Sequence, residues 1–478
     1  MEKKQNSAEI TTERQNVASM KTSKKEKLFY GLGDMGNNLI LMFVGSFLTL
    51  YYTDSAGMAA AFIGTMMLVS RVLDGVSDIV MGIIIDKTRT RWGKARPWIL
   101  FMAIPFAVSV LLVFNVPAAL GVSSKNIYVF LTYIFLTVVC NTAVNLSYLA
   151  LLPLFSLTSQ DRSVATVVRS IFATIASLAV AMMTPSFLMR LGGIHNQAAW
   201  STLAAIYAAL SVILLFITFL GVREKVQQIP SGEQKADKKE GKPSLSASLK
   251  ILLSTRYFYI TVLLFITFYV TNGNSGIGIY YARDVLGNAQ IFSFQALLSV
   301  IPMLIAMPFM PLLFRKFGKR NTMMGGLAIS ALACSIGLLN PRSIPLYLSI
   351  IALRGFGTAA LSTAIFTLAG DIVDFNEWKT GIRTEGLATS ANSFGIKLGT
   401  GLGSAMVGWG LALGQYNPEL AVQMPGTINA MIMVALGIPL IVYILCIVML
   451  IFWNLEKYQP QVVQFIADKY HNKDNKVG

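Results

Sequence analysis

The chain has 478 residues, of which 54% are hydrophobic and only 13% are charged. Soluble globular proteins carry about 25% charged residues, so this composition argues against a soluble domain and indicates a chain embedded in lipid. The net charge of +16 does not point to nucleic acid, because the basic residues are confined to polar segments between apolar runs. The three cysteines lie within apolar runs and follow no metal or redox spacing.

Twelve segments are predicted to cross a bilayer as helices, because about 20 apolar helical residues span the roughly 30 Å hydrocarbon core. The predicted spans are residues 28–53, 58–85, 97–116, 126–152, 164–189, 200–221, 255–282, 291–314, 322–340, 344–370, 386–413 and 427–453. No cleavable signal pattern opens the chain. The class predicted from these runs is an all-α membrane protein.

Basic residues are concentrated in polar segments that fall on one side of the predicted membrane. These segments are residues 1–27, 86–97, 222–256, 314–321 and the C-terminal tail. The opposite loops hold almost none, and the positive-inside rule therefore predicts that both termini are cytoplasmic. A polar stretch separates six spans from six. The predicted parts are a tail (1–27), a six-helix bundle (28–221), a linker (222–254), a second six-helix bundle (255–453) and a tail (454–478).

The two halves repeat one loop pattern. RWGKARP follows the second span, and RKFGKRN follows the eighth. A parallel repeat of this kind favours the major facilitator fold, in which two six-helix bundles face a central cavity. The alternative is that any cytoplasmic loop collects lysine and arginine.

Polar side chains recur at helical spacing in the first and fourth spans. They are Tyr30, Asp34, Asn37 and Asn38 in the first span, and Asn141, Thr142, Asn145 and Tyr148 in the fourth. Amides, hydroxyls and aromatic rings suit a polyhydroxylated ligand, because they offer paired donors and acceptors and an apolar face. The alternative is hydrogen bonding between helices.

Asp74 and Asp78 stand four residues apart in the second span, so both carboxylates emerge on one helix face. Two like charges there need neutralising. A bound Na⁺ would do this, with Ser77 adding a hydroxyl ligand, and so would a shared proton. The alternative is a structural ion pair between Asp74 and Arg71. No histidine lies in a predicted span, so a proton would have to be carried by a carboxylate.

Arg169 and Lys397 are isolated cations within predicted spans. An unpaired buried cation is costly, so each is expected to meet Asp74, Asp78 or an acidic ligand. Lys397 would then link the second bundle to the cation site. The sequence assigns no role to Arg354, a further cation within a span.

The loop DKTRTRWGKARP, residues 86–97, lies at the cytoplasmic end of two predicted spans. Its Arg91 and Arg96 are predicted to pair with acidic groups of the other half and to break these pairs when the protein opens on the cytoplasmic side. The acidic groups are Asp371, Asp374 and Glu377. The alternative is simple positive-inside anchoring.

Several strings carry a family resemblance that covers nearly the whole chain. They are YGLGDMGNN, YYTDSAG, RVLDGVSDIVMG, RWGKARPW, NLSYLALLP, GDIVDFNEWKTGIRTEG and FGIKLGTGLGSAMVGW. With them the sequence resembles the glycoside–pentoside–hexuronide:cation symporters of the major facilitator superfamily, which include the melibiose permease and the glucuronide carrier. The resemblance implies alternating access and a cation site at Asp74 and Asp78.

The resemblance also implies a set of site residues. Thr142 and Asn145 are expected to help bind the cation or the sugar. Sugar contacts are expected from Asn37, Asn38, Arg169, Ser393 and Lys397. The chain departs from the melibiose permease pattern at Asp34, Asn38, Asn145 and Leu149. The loss of two carboxylates beside Arg169 and Lys397 is consistent with an acidic sugar as cargo.

The expected function is import of a glycoside, pentoside or hexuronide by symport with H⁺ or Na⁺. The protein is expected to be monomeric, in the bacterial inner membrane, with no cofactor beyond the transported cation. One alternative is cation-coupled transport of a lipid or another amphiphile, and a remote one is a sensor that does not transport. No catalytic set of residues is visible in the sequence, so an enzyme is not expected.

Overall fold

The computed structural model describes residues 22–156, 158–225, 255–380, 385–420, 422–462 and 464–465. This part of the chain is helical, without a β-strand apart from one isolated bridge between Thr90 and Gly93. Its helices are α1 (Lys24–Leu50), α2 (Ala60–Lys87), α3 (Arg96–Val113), α4 (Val122–Phe155), α5 (Ser159–Arg190), α6 (Gln197–Gly221), α7 (Arg256–Val285), α8 (Ile291–Phe317), α9 (Lys319–Leu339), α10 (Ile344–Thr380), α11 (Glu385–Leu413) and α12 (Pro425–Ile432, Met433–Gly437 and Ile438–Phe452).

Nine of the described helices are long and apolar enough to cross a bilayer, namely α3 to α10 and α12. The predicted spans 28–53, 58–85 and 386–413 coincide with α1, α2 and α11, whose membrane crossing stays a prediction. These three helices carry several of the charged and amide side chains of the predicted sites, among them Asp34, Asp74 and Lys397, and such side chains lower the hydropathy of a helix.

Several helices contain π-helical turns. They are Tyr51–Ser55 after α1, Phe135–Asn141 in α4, Tyr281–Val285 in α7 and Met433–Gly437 in α12. A π-turn leaves carbonyls without their usual partner in the helix, and such turns often occur at functional sites. In α12, the carbonyl of Val434 accepts a hydrogen bond from Asn274 Nδ2 at 2.6 Å.

The described residues form two compact units. The first contains residues 22–44 and 76–225, and the second contains residues 45–75 and 255–465. Helix α2 is therefore shared, because its residues up to Gly75 belong to the second unit and those from Val76 belong to the first. The predicted division into bundles 28–221 and 255–453 stays a prediction. Most of the predicted tails and linker lies outside the described residues.

Each unit has its own apolar core. In the first unit, the rings of Phe43 and Phe114 stack with centroids 4.3 Å apart, and Trp200 packs beside them. In the second unit, Leu264 and Trp453 belong to a larger cluster of fully buried apolar side chains. Other large apolar side chains point outward, as expected for helices whose outer surfaces contact lipid.

The start of α3 is capped by a glutamate from beyond α6. Glu224 accepts hydrogen bonds from the backbone N–H groups of Lys94, Ala95 and Arg96 at 2.8 to 3.1 Å. The first N–H groups of a helix have no partner within the helix, and a carboxylate there also complements the helix dipole. The Arg96 guanidinium in turn donates to the carbonyl of Phe219 at the end of α6, at 2.5 Å.

The start of α9 has the same arrangement in the second unit. Glu456 Oε1 accepts from the backbone N–H of Arg320 at 2.8 Å. The Arg320 guanidinium donates to the carbonyl of Leu450 near the end of α12, at 2.8 Å. The loops RWGKARP and RKFGKRN thus share a local geometry as well as a sequence pattern, and the two capping glutamates were not singled out from the sequence.

Candidate functional site

An ion pair joins α1 to α5 in the first unit. Arg169 Nε donates to Asp34 Oδ2 at 3.0 Å. The Asp34 side chain is 4% exposed and that of Arg169 is 28% exposed, so the arginine is the more accessible partner. Asp34 is a partner that the sequence did not suggest for Arg169.

Two tyrosines pack beside this ion pair. The rings of Tyr30 and Tyr148 stack with centroids 4.4 Å apart, and Tyr148 Oη donates to the carbonyl of Tyr30 at 2.8 Å. The Arg169 guanidinium lies over the Tyr148 ring, 5.6 Å from its centroid. Gly33 permits this approach of α1 to α4, because a Cβ there would lie only 2.9 Å from the Tyr148 ring. Tyr148 thus lies among the predicted cargo residues.

A pair of amides extends the same face of α1. Asn37 Nδ2 donates to Asn145 Oδ1 at 3.4 Å. Asn37 is buried, and its Oδ1 accepts no hydrogen bond from the described residues. A buried acceptor normally has a partner, so Asn37 Oδ1 is suited to take one from a hydroxyl group. Asn38 instead donates to the Asp34 carbonyl, within its own helix, at 2.9 Å.

The predicted cargo residues are divided between the two units. Those of the first unit are Asp34, Asn37, Asn38, Asn145, Tyr148, Leu149 and Arg169. Leu149 is 37% exposed on α4. Ser393 and Lys397 lie in the second unit, on α11, where Ser393 is exposed.

In the second unit, Lys397 on α11 pairs with Asp74 on α2. Its Nζ lies 3.1 Å from Asp74 Oδ2 and donates to the Asp74 carbonyl at 3.0 Å. Arg71 NH1 lies 3.7 Å from the same carboxylate oxygen. The predicted Lys397–Asp74 contact is therefore present, together with the contact to Arg71. Asp74 is 2% exposed, and the two cations compensate its buried charge.

Glycines allow α11 to lie directly on the part of α2 in this unit. A Cβ on Gly408 would lie 2.7 Å from Gly64 Cα, and one on Gly401 would lie 2.9 Å from Arg71 Cβ. Small residues let helix backbones approach closely, as is common between helices in membranes. The close approach brings Lys397 within reach of Asp74.

The other predicted cation ligands lie in the first unit. Ser77 Oγ and Thr142 Oγ1 are 3.1 Å apart, and the partly buried Asp78 follows Ser77 in α2. Asn145 stands three residues after Thr142 on α4. Hydroxyl, amide and carboxylate oxygens are the ligands that hard cations prefer. No group of three or more His, Cys, Asp or Glu side chains that could hold a metal ion occurs among the described residues.

Three of the predicted gating residues, Arg91, Arg96 and Asp371, have partners within their own units. In the first unit, Arg91 lies over the Trp92 ring, and Arg96 donates to backbone carbonyls. In the second unit, Asp371 pairs with Lys319 at 2.8 Å, while Glu377 is buried and Asp374 is partly buried. The predicted contacts of Arg91 and Arg96 with these acidic groups stay a prediction.

The sequence did not single out a buried charge cluster in the second unit. Arg283 NH1 lies 2.5 Å from Asp54 Oδ2, and Arg283 Nε lies 2.7 Å from Asp284 Oδ1. Tyr416 Oη donates to Asp54 Oδ1 at 2.8 Å. Asp54 stands in the string YYTDSAG, directly after the first predicted span. A charged residue at this position was the sequence feature that could have pointed to the cluster.

Arg354, which had no predicted role, anchors α10 within the second unit. Its guanidinium donates to Tyr443 Oη at 3.3 Å and to the carbonyl of Ala435 at 3.4 Å. Ala435 belongs to the π-helical turn of α12. Arg354 therefore packs α10 against α12.

The described part of the chain contains nine helices that are long and apolar enough to cross a bilayer, as in a multi-pass membrane protein. Residues 29–457 match the family model described as MFS/sugar transport protein. The chain belongs to this family and, within it, to the glycoside–pentoside–hexuronide symporters of the major facilitator superfamily. It is a cation-coupled transporter of the sugar type and not an enzyme.

Two relatives and one solved structure illustrate the likeness. The isoprimeverose transporter of Lactiplantibacillus pentosus is 31% identical over 94% of this chain and 92% of its own. The glucuronide carrier protein homolog of Escherichia coli K12 is 30% identical over 81% of this chain and 83% of its own. A mutant of the nucleoside transporter NupG matches with a TM-score of 0.63 at 15% identity, over 89% of this chain and 99% of its own, which supports the fold alone.

Proposed function

We propose that this chain imports a glycoside, pentoside or hexuronide by symport with Na⁺ or H⁺ through alternating access. The observation that carries the proposal is the ion pair between Lys397 and Asp74. It places the Lys397 ammonium group on a carboxylate that a transported cation would also bind. A cation that binds this carboxylate competes with Lys397, so occupancy by the ion changes where Lys397 is held.

The spacing of Asp74 and Asp78, one turn apart on α2, predicts that both carboxylates contribute to the cation site. The Ser77 and Thr142 hydroxyls, 3.1 Å from each other, supply further oxygen ligands, and Asn145 supplies an amide oxygen. Oxygen ligands of this kind fit Na⁺, and a carboxylate in a low-dielectric setting can instead take a proton. The choice between the two ions is left to experiment.

The proposed sugar subsite is built from Asp34, Asn37, Asn145, Tyr148 and Arg169. Its groups offer donors and acceptors for hydroxyls, and the tyrosine offers an apolar face for a sugar ring. The name of the isoprimeverose transporter supports a sugar as cargo. The proposed setting is a bacterial inner membrane, with a monomeric protein whose two termini are cytoplasmic.

Uptake into proteoliposomes tests the proposal. The purified full chain is reconstituted, and radiolabelled isoprimeverose is supplied under an imposed Na⁺ gradient or, separately, a proton gradient. Accumulation above equilibrium is expected under one of the two gradients, and it should disappear when an ionophore dissipates that gradient. The Asp78→Asn variant is the matched control and should not accumulate the sugar. Sugar entry that never exceeds equilibrium under either gradient would refute coupling.

A further inference from the structure

The Asp34–Arg169 ion pair bears on the charge of the cargo, and the inference drawn from it rests on the proposed function. Arg169 was expected to meet Asp74, Asp78 or an acidic ligand. Its side chain, which is 28% exposed, is instead paired with an Asp34 side chain that is 4% exposed. A cargo that binds beside Arg169 therefore meets a guanidinium group whose positive charge is already balanced by the Asp34 carboxylate.

The other cation among the predicted cargo residues, Lys397, shares the carboxylate that it contacts with Arg71. Lys397 lies 3.1 Å from Asp74 Oδ2 in the second unit. In the first unit, Arg169 has Asp34 as its own carboxylate partner, so its charge is not left to offset that of a uronate. Burying an extra carboxylate without a matching cation is unfavourable, so an acidic cargo would bind poorly.

The groups around Arg169 suit neutral hydroxyls. The guanidinium carries five N–H donors, and the bond from Nε to Asp34 leaves others for sugar oxygens. Asn37 Oδ1 is buried and accepts no hydrogen bond from the described residues, so it can accept one from a sugar hydroxyl. Tyr30 and Tyr148, stacked on each other, add no formal charge.

We propose that Asp34 is the residue that selects cargo by charge: by neutralising Arg169 it makes the site accept uncharged glycosides and reject glycosiduronates. Removing the carboxylate while keeping the shape of the side chain should free the Arg169 charge. The site should then favour a ligand that brings its own carboxylate.

Two ligands that differ only at C6 test this assignment. The probes are p-nitrophenyl β-D-glucoside and p-nitrophenyl β-D-glucuronide, and the dissociation constant of each is measured by calorimetry on the purified full chain, with Na⁺ and without it. The unmodified protein should prefer the glucoside. Asp34→Asn should move the ratio of the two constants toward the glucuronide by roughly tenfold or more, since a charge a few ångströms away is released.

Two further variants separate charge from shape. Asp34→Asn combined with Arg169→Gln has a neutral pair, and it should prefer the glucoside again. Asp161→Asn removes one negative charge from the same helix as Arg169, about two turns earlier, where Asp161 pairs with Lys27. It should leave the ratio unchanged. Gel filtration of each variant reports whether it folds. If Asp34→Asn does not fold, the ratio of the two dissociation constants of the unmodified protein still tests the preference for the uncharged ligand.

The outcomes distinguish the inference from the proposed function. If the unmodified protein binds the glucuronide as tightly as the glucoside, charge selection is refuted and sugar transport stands. If Asp34→Asn folds and the ratio of the two dissociation constants does not change, only the role assigned to Asp34 is refuted. If the protein binds neither probe and does not take up isoprimeverose, the proposed function fails, and the inference fails with it.

Discussion

Arg283 and Asp54 form a buried ion pair that ties residues 45–75 to α7 within the second unit. Their closest atoms are 2.5 Å apart, and the Asp54 side chain is fully buried. Arg283 also pairs with Asp284, and Tyr416 donates to Asp54. Arg283 and Asp54 are 229 residues apart in the chain, so their ion pair is a long-range contact within the second unit.

Arg283→Gln should destabilise the protein, because it leaves the Asp54 carboxylate buried without its cation. The expected loss is about 3 kcal/mol, the typical cost of breaking one side of a buried pair. Thermal unfolding of the detergent-solubilised protein measures it. Asp54→Asn combined with Arg283→Gln removes both charges and should be more stable than Arg283→Gln alone. A double variant less stable than the single one would contradict this account.

Asp78→Asn and Asp74→Asn should both abolish gradient-driven accumulation, because each removes a carboxylate of the proposed cation site. They should differ in stability. Asp74→Asn leaves Lys397 without its carboxylate partner, so this variant should unfold at the lower temperature. Uptake in proteoliposomes and thermal unfolding measure the two effects. Accumulation that persists in both variants would show that the cation binds elsewhere.

Lys397→Ala should uncouple transport more than it weakens folding. Without the ammonium group, cation occupancy at Asp74 no longer changes the position of α11, so accumulation should fall at least about tenfold while sugar exchange continues. The ratio of accumulation to counterflow in the same vesicles measures coupling. Lys397→Arg keeps the charge and should retain part of the coupling. Equal loss of accumulation and counterflow would argue against a coupling role.

Gly408→Ala should disturb the contact between α11 and the part of α2 in the second unit. The added Cβ would lie 2.7 Å from Gly64 Cα, which is too close for unstrained packing. Accumulation should therefore fall as it does in Lys397→Ala, together with the unfolding temperature. Gly325→Ala on α9 is the matched control, because a Cβ there meets nothing within 4 Å. It should be neutral or stabilise by up to about 1 kcal/mol, as alanine is the better helix former. Equal effects of the two variants would refute the packing argument.

The sequence by itself determined the class of the protein and much of its helical layout. Each predicted span coincides with helical structure in the described residues, because long apolar runs can satisfy their backbone polar groups in lipid only as helices. The spacing of Asp74 and Asp78 likewise followed from helix geometry, and Lys397 was rightly expected to need a carboxylate. These inferences depend on local periodicity and on the cost of burying a charge.

Only the tertiary structure decided which charges meet. Arg169 pairs with Asp34, 135 residues away, and Arg283 pairs with Asp54 across a still longer stretch of chain. Periodicity places a side chain on one face of its helix, but it does not say which other helix packs against that face. That choice depends on close approaches at positions such as Gly33 and Gly408, where the absent Cβ lets two helices meet. The partner of Arg169, and with it the proposed preference for a neutral cargo, therefore came from the packing of α1 against its neighbours.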